Sequence, residues 1–174
     1  MSDRSAHPRD EILVFAIAGE RCGLFSADVR EIVRAVTIVP LPRAPDVVEG
    51  VINVRGQLVA VLDLRRRLRL APKPVEPSDH LVLATAGARV VAIRVDRVHD
   101  LVELAPGQLE DDISRIPYPG RLAGVAKLPD GIVLIHDLLA FLSQAEEESL
   151  TVALDEHPRE AGAPRTADAE EVGP

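Results

Sequence analysis

The chain of 174 residues is nearly without aromatic side chains: three Phe, one Tyr and no Trp, 2% of the sequence, although 47% of it is hydrophobic. A core must therefore be assembled from Val, Leu, Ile and Ala, and Val-rich runs favour strands. The single cysteine, Cys22, excludes an intramolecular disulfide and a Cys-based zinc site and suits a reducing compartment. No apolar run approaches the roughly 20 residues of a membrane-spanning helix. The opening MSDRSAHPRDE is too polar for a secretory signal, so a soluble cytoplasmic protein is expected. Length allows one large or two small domains.

What is present in excess is acid, and it is unevenly placed. From Glu146 onward the chain has nine acids against Arg159 and Arg165, leaving nineteen acids and eighteen bases in a nearly neutral body. The Pro-, Ala- and acid-rich composition of residues 146–174 predicts a disordered tail. Residues 1–10 are expected to be flexible.

The sequence repeats itself. LVFAIAGERCGLFSADVREIV, from Leu13, matches LVLATAGARVVAIRVDRVHDLV, from Leu81, with one insertion. GVINVRGQLVAVLDL, from Gly50, matches GVAKLPDGIVLIHDL, from Gly124, without a gap. The same elements in the same order argue for tandem duplication. The predicted units are residues 11–70 and 80–145, joined by a Pro-rich linker over 71–79.

Each copy reads as a small β unit. Residues 13–18 and 22–25 are short strands joined by a tight turn. Ser26 is expected to cap a helical stretch with Val29, Ile32 and Val33 on one face. VTIVPLP reads as a further strand closed by prolines. A hairpin follows around Arg55-Gly56, Gly56 supplying the positive φ. About five short strands per copy favour closed barrels over an open sheet.

Little of the sequence points to catalysis. Asp63 and Asp137 end equivalent strands, but each is followed by a run suited to a helix start rather than by the small turn a carboxylate dyad requires, so both read as N-caps. No two of the five histidines share an i, i+4 helical face. His136 and Cys22 lie in apolar strands and read as packing residues. No phosphate loop or nucleophile elbow is present. No catalytic residue, metal ligand or cofactor is therefore expected. The one basic cluster, Arg65, Arg66, Arg67 and Arg69, reads as a solvated helix face. Its alternative, a small-barrel nucleic-acid-binding surface, lacks the stacking aromatics such surfaces use.

Over about residues 11–142 the chain resembles the CheW family of chemotaxis coupling proteins. The resemblance is carried by the Leu13 segment with its Val29-x-Glu31-Ile32 element, by VPLPRAPDVVEGVINVRGQLVAVLDLRRRL, and by HLVLATAGARVVAIRVDRVHDLVEL. It implies two tandem SH3-like five-stranded β-barrels with short helices and a C-terminal helix. The implied role is a non-catalytic adaptor at membrane-associated chemoreceptor arrays. Its implied partners are the regulatory domain of a CheA-type histidine kinase, the cytoplasmic hairpin tip of a methyl-accepting chemoreceptor, and other CheW-like domains in rings, with no nucleic acid and no membrane insertion. Glu31 and Arg55 are implied to be a charged pair orienting loops beside the receptor surface, with Val29, Ile32, Gly50, Asn53 and Gly56 near it. His80, Leu81 and Val82 are implied to help line a groove between the barrels. From geometry alone, a guanidinium at a hairpin tip can fork onto a carboxylate, and Glu31 is the candidate acceptor.

Overall fold

The computed structural model describes residues 9–118 and 121–157. Strands β1 (Glu11–Ile17) and β2 (Glu20–Phe25) form a hairpin, and a 3-10 turn (Ser26–Asp28) leads into β3 (Val29–Arg34). The hairpin β4 (Val48–Val54) and β5 (Gln57–Leu62) ends in a one-turn helix, α1 (Leu64–Arg67). After the linker the order repeats: β6 (His80–Ala86), β7 (Arg89–Val95), β8 (Arg97–Glu103), a short β9 (Leu109–Glu110), then the hairpin β10 (Leu122–Leu128) and β11 (Gly131–His136). Helix α2 (Gln144–Glu156) closes the described chain.

The architecture is mainly β, in two sheets. One has six strands in the order β8-β1-β2-β11-β10-β9, and the other has five in the order β3-β6-β7-β5-β4. Both sheets take strands from both sides of the linker, so the expected halves 11–70 and 80–145 are not self-contained units. Each half places its first hairpin inside the other half's sheet, through the parallel pairs β5 with β7 and β2 with β11. The duplication is visible in the register: Ala60 pairs with Val91, and Leu134, its counterpart in the repeat, pairs with Cys22.

This exchange explains the continuous apolar runs. Side chains alternate across a strand, and in the central strands both faces are buried. Ile12 and Val14 of β1 enter a core with Val133 and Ile135, while Leu13, Phe15 and Ile17 enter a second core between the sheets. In β6, Leu81 and Leu83 pack inside the five-stranded sheet with Ile52, Val59 and Val61, and Val82 and Ala84 face the inter-sheet core. Three apolar clusters thus stack as interior, interface, interior. A strand buried on both faces has no polar face to alternate with.

Four local expectations differ from the structure. The residues after Ser26 form a strand instead of a helix. Their burial alternates, Val29, Glu31 and Val33 lying on the half-buried side and Arg30, Ile32 and Arg34 on the exposed side. VTIVPLP makes only an isolated bridge, Val39 to Val51, because its prolines interrupt any longer ladder. Asp63 does cap α1, accepting the Arg66 N–H at 3.0 Å. Asp137 instead accepts the N–H groups of Leu139 and Ala140 at 3.0 and 3.3 Å, a turn with no helix after it.

The fourth difference is the acidic segment from Glu146. Residues 146–156 lie in α2, whose Leu150 is fully buried and whose Ala153 is 2% exposed in the inter-sheet core. Acid-rich composition argued for disorder, but Leu150 and Ala153 enter the core, Leu154 packs against it, Arg67 and Arg89 pair with Glu146 and Glu147, and a Ser143–Glu146 capping box closes the helix start. The remainder of the expected tail, 158–174, and most of the expected N-terminal arm, 1–8, lie outside the described residues.

Candidate functional site

The tip of the β4–β5 hairpin is built from two left-handed residues, Arg55 at φ 51° and Gly56 at φ 83°. This is the turn that matches strand twist in a two-residue hairpin. An arginine at positive φ is unusual, and Asn53 stabilises the turn by accepting the Gly56 N–H on Oδ1 at 2.8 Å. The turn aims the Arg55 guanidinium at β3. Its Nη1 and Nη2 donate to Glu31 Oε2 and Oε1 at 2.9 and 2.8 Å, a two-bond fork. Since β3 and β4 are the outermost strands of their sheet, the fork spans its two edges as the sheet curls. Arg55 remains 77% exposed, which leaves most of its donors facing solvent.

Around this pair, Ile32 is 39% exposed, Asn53 and Gly56 are exposed, and Val29 is half-buried. Gly50 is buried beneath the Val39 carbonyl and the Ile38 side chain, so its place is structural as well as close to the site. The expectation for the second copy is not met in the same way. Leu81 and Val82 are fully buried in two different cores and offer no surface, and His80 is half-buried. The reason is the hairpin exchange, which makes β6 a central strand.

A cleft of about 730 Å³ opens where the 3-10 turn passes from one sheet to the other, lined by Phe25, Asp28, Thr85, His136, Asp137 and Leu139 among others. It contains none of the residues expected at the partner surface. Burial and the nearby Asp137 carboxylate push the Asp28 carboxyl up. Leu101, Ile132 and Leu139 are apolar side chains that are 58%, 60% and 71% exposed. Leu101 could have been found from β8, whose run RVHDLVE lacks the continuous apolar character of the central strands.

Residues 11–146 match the family described as the CheW-like domain. The chain belongs to the CheW-like family. Among its relatives, the chemotaxis protein CheW of Rhizobium meliloti is 30% identical, with 80% of this chain and 91% of that protein covered. CheW of Klebsiella aerogenes is 27% identical over 78% of this chain and 83% of that protein. Protein FrzA of Myxococcus xanthus is 34% identical over 53% of this chain and 58% of that protein. The crystal structure of the scaffolding protein TtCheW from Thermoanaerobacter tengcongensis superposes with a TM-score of 0.68 at 28% identity, covering 75% of this chain and 92% of that one.

The other candidate residues of this CheW-like chain have structural assignments. Arg65, with its side chain only 11% exposed, pairs with Asp96 at 2.6 Å. Arg67 pairs with Glu146 at 2.8 Å and lies over the Phe141 ring. Arg66 donates to the Asp46 carbonyl at 3.0 Å. The cluster read as a solvated face is thus largely engaged in holding α1 to neighbouring elements, which leaves little of it for a nucleic-acid backbone. Cys22 is fully buried, and burial pushes its thiol up to about 12. His136 is 5% exposed, its imidazole lowered to about 4 by burial, with the Tyr118 ring 5.8 Å away. Among the described residues no helix is long and apolar enough to cross a membrane.

Proposed function

We propose that this CheW-like chain is an adaptor, without catalysis of its own, that couples the cytoplasmic hairpin tip of a chemoreceptor to the regulatory domain of a CheA-type histidine kinase. The observation that carries the reading is the Glu31–Arg55 fork at the edge of a CheW-like fold. An exposed ion pair contributes at most about 1 kcal/mol to stability. The same pair can hold the β3 edge and the β4–β5 tip in one relative position, with Ile32, Asn53 and Gly56 presented beside it. Val29, Glu31, Ile32, Asn53, Arg55 and Gly56 form the proposed receptor-facing surface, and the buried Leu81 and Val82 drop out of it. Rings built with other CheW-like domains at membrane-associated arrays would strengthen individually weak contacts through multivalency.

The test is a titration of the intact chain and of Arg55→Ala against a CheA-type regulatory domain, with and without a soluble receptor tip, with folding of both forms checked by circular dichroism. The expected result is kinase-domain binding by both forms and at least about a tenfold loss of receptor-tip binding by the variant, equivalent to about 1.4 kcal/mol. Absence of binding to both partners by the intact, folded chain would refute the adaptor. Equal receptor binding by the two forms would remove Arg55 from the surface.

A further inference from the structure

The exchanged hairpins leave the two halves of the chain joined covalently only through residues 71–79. The pairings of β1 with β8, β3 with β6, β2 with β11 and β5 with β7 all cross between the halves. Every one of them can be formed equally well with the complementary half of a second copy. The path of the linker therefore decides which copy is used.

Three prolines, Pro72, Pro74 and Pro77, favour an extended linker of about 3.1 Å per residue, roughly 28 Å from end to end. The linker instead folds back on itself. Lys73 Nζ donates to Asp79 Oδ1 at 2.6 Å, and the Glu76 N–H donates to Asp79 Oδ2 at 3.0 Å. Arg94 of β7 donates to Asp79 Oδ2 at 3.1 Å and to the carbonyls of Lys73 and Pro74 at 2.7 and 3.3 Å. Its Nε donates to Glu49 of β4 at 3.1 Å. Asp79 is fully buried and Arg94 is 9% exposed. Desolvation offsets much of the attraction in such a network. Its larger effect is selective, because only the folded linker satisfies all of these charges together.

We propose that the Lys73–Asp79–Arg94–Glu49 network is a latch that keeps both halves of one chain together, and that its release lets the chain pair with a second copy of itself by reciprocal exchange of halves. The exchanged dimer retains all the strand pairings and the three apolar clusters and loses only the folded linker. A hinge whose folded form opposes its own proline preference is the kind of connection at which such exchange occurs.

The test uses Asp79→Asn, which keeps the shape and removes the charge, and a deletion of Pro74, Val75 and Glu76, which leaves too little chain for the fold-back. Each form is unfolded in urea, refolded at high protein concentration, and sized by chromatography with light scattering. The intact chain is expected to return as a monomer. Asp79→Asn is expected to raise the dimer association constant at least about tenfold, the scale of one charged hydrogen bond lost from each monomer, and the deletion is expected to be dimeric throughout. Subunits of these dimers, labelled separately and mixed, should stay unmixed for as long as global unfolding takes. The latch is overturned by folded variants that remain monomeric at every concentration, by dimers whose subunits mix at once, or by an intact chain that dimerises to the same extent. Variants that do not fold also overturn it, since the exchanged dimer keeps every core contact.

Discussion

Leu150→Ala empties the position at which α2 enters the core between the two sheets. Leu150 is fully buried in the same cluster as Leu138, Phe141 and Ala153. The substitution removes three carbons at about 0.8 kcal/mol each, about 2.4 kcal/mol in transfer free energy. The cavity left behind raises the expected loss to about 3–5 kcal/mol. Val152, two positions along the helix and 55% exposed, is the control, and Val152→Ala should stay within about 0.5 kcal/mol of the intact chain. Ser143→Ala should fall between them at about 1 kcal/mol. It removes the acceptor of the Glu146 N–H while leaving the core intact. Equilibrium urea unfolding with a common m-value measures all three. A midpoint for Leu150→Ala equal to that of Val152→Ala would refute the docking of α2 and return the acidic segment to the disordered state its composition suggests.

The buried His136 gives stability a pH dependence of defined sign. Its pKa is about 4 in the folded chain against 6.5 for the free side chain, so the unfolded chain binds the extra proton between those values. Stability is full above about pH 6.5 and is lost as pH falls toward 4, by as much as about 3 kcal/mol. His136→Leu should flatten urea midpoints over that window, and an unchanged slope would contradict it. Gly50→Ala presses a Cβ into the Val39 carbonyl and to 2.8 Å from the Ile38 Cγ2, and should cost about 1–3 kcal/mol. Gly124→Ala meets the movable Leu109 Cδ1 at 3.0 Å and a carbonyl at 3.2 Å, so it should cost less, and equal melting temperatures for the two variants would count against this packing. A double-mutant cycle on Glu31 and Arg55 should give a coupling of no more than about 1 kcal/mol in unfolding, and a value above about 2 kcal/mol would make the pair primarily a structural fastening.

The turn of the candidate site was legible because its parts are local, whereas Glu31 lies 24 residues from Arg55 and is brought to it by the fold. Arg55-Gly56 between two apolar runs signals a two-residue hairpin, and a guanidinium there needs a carboxylate within reach. The structure supplies Glu31 and adds Asn53 as the side chain that steadies the turn. The burial of Leu81 and Val82 was not legible, for the opposite reason. A short apolar run reads the same whether it edges a groove or fills the centre of a sheet. The segment after Ser26 failed through a wrong period, since Val29, Ile32 and Val33 fit one face of a helix about as well as VREIVR fits a strand. The Lys73, Asp79, Arg94 and Glu49 network carried no signal, because all four are ordinary in type and Glu49 lies 45 positions from Arg94, although Lys73 and Asp79 are six apart.

Composition and repetition alone were enough to establish an aliphatic, mainly β, duplicated chain, because alternation, turn residues and self-similarity act over a few residues at a time. The resemblance to the CheW-like family is legible separately, from specific motifs that lie in contiguous stretches of the sequence. Which half supplies the middle of each sheet, which apolar strands lose both faces to the core, and which arginines are consumed by ion pairs depend on contacts between residues tens of positions apart. Only the folded chain determines these, because burial and the pairing of charges belong to neighbours in space, and one linear pattern is compatible with several such arrangements.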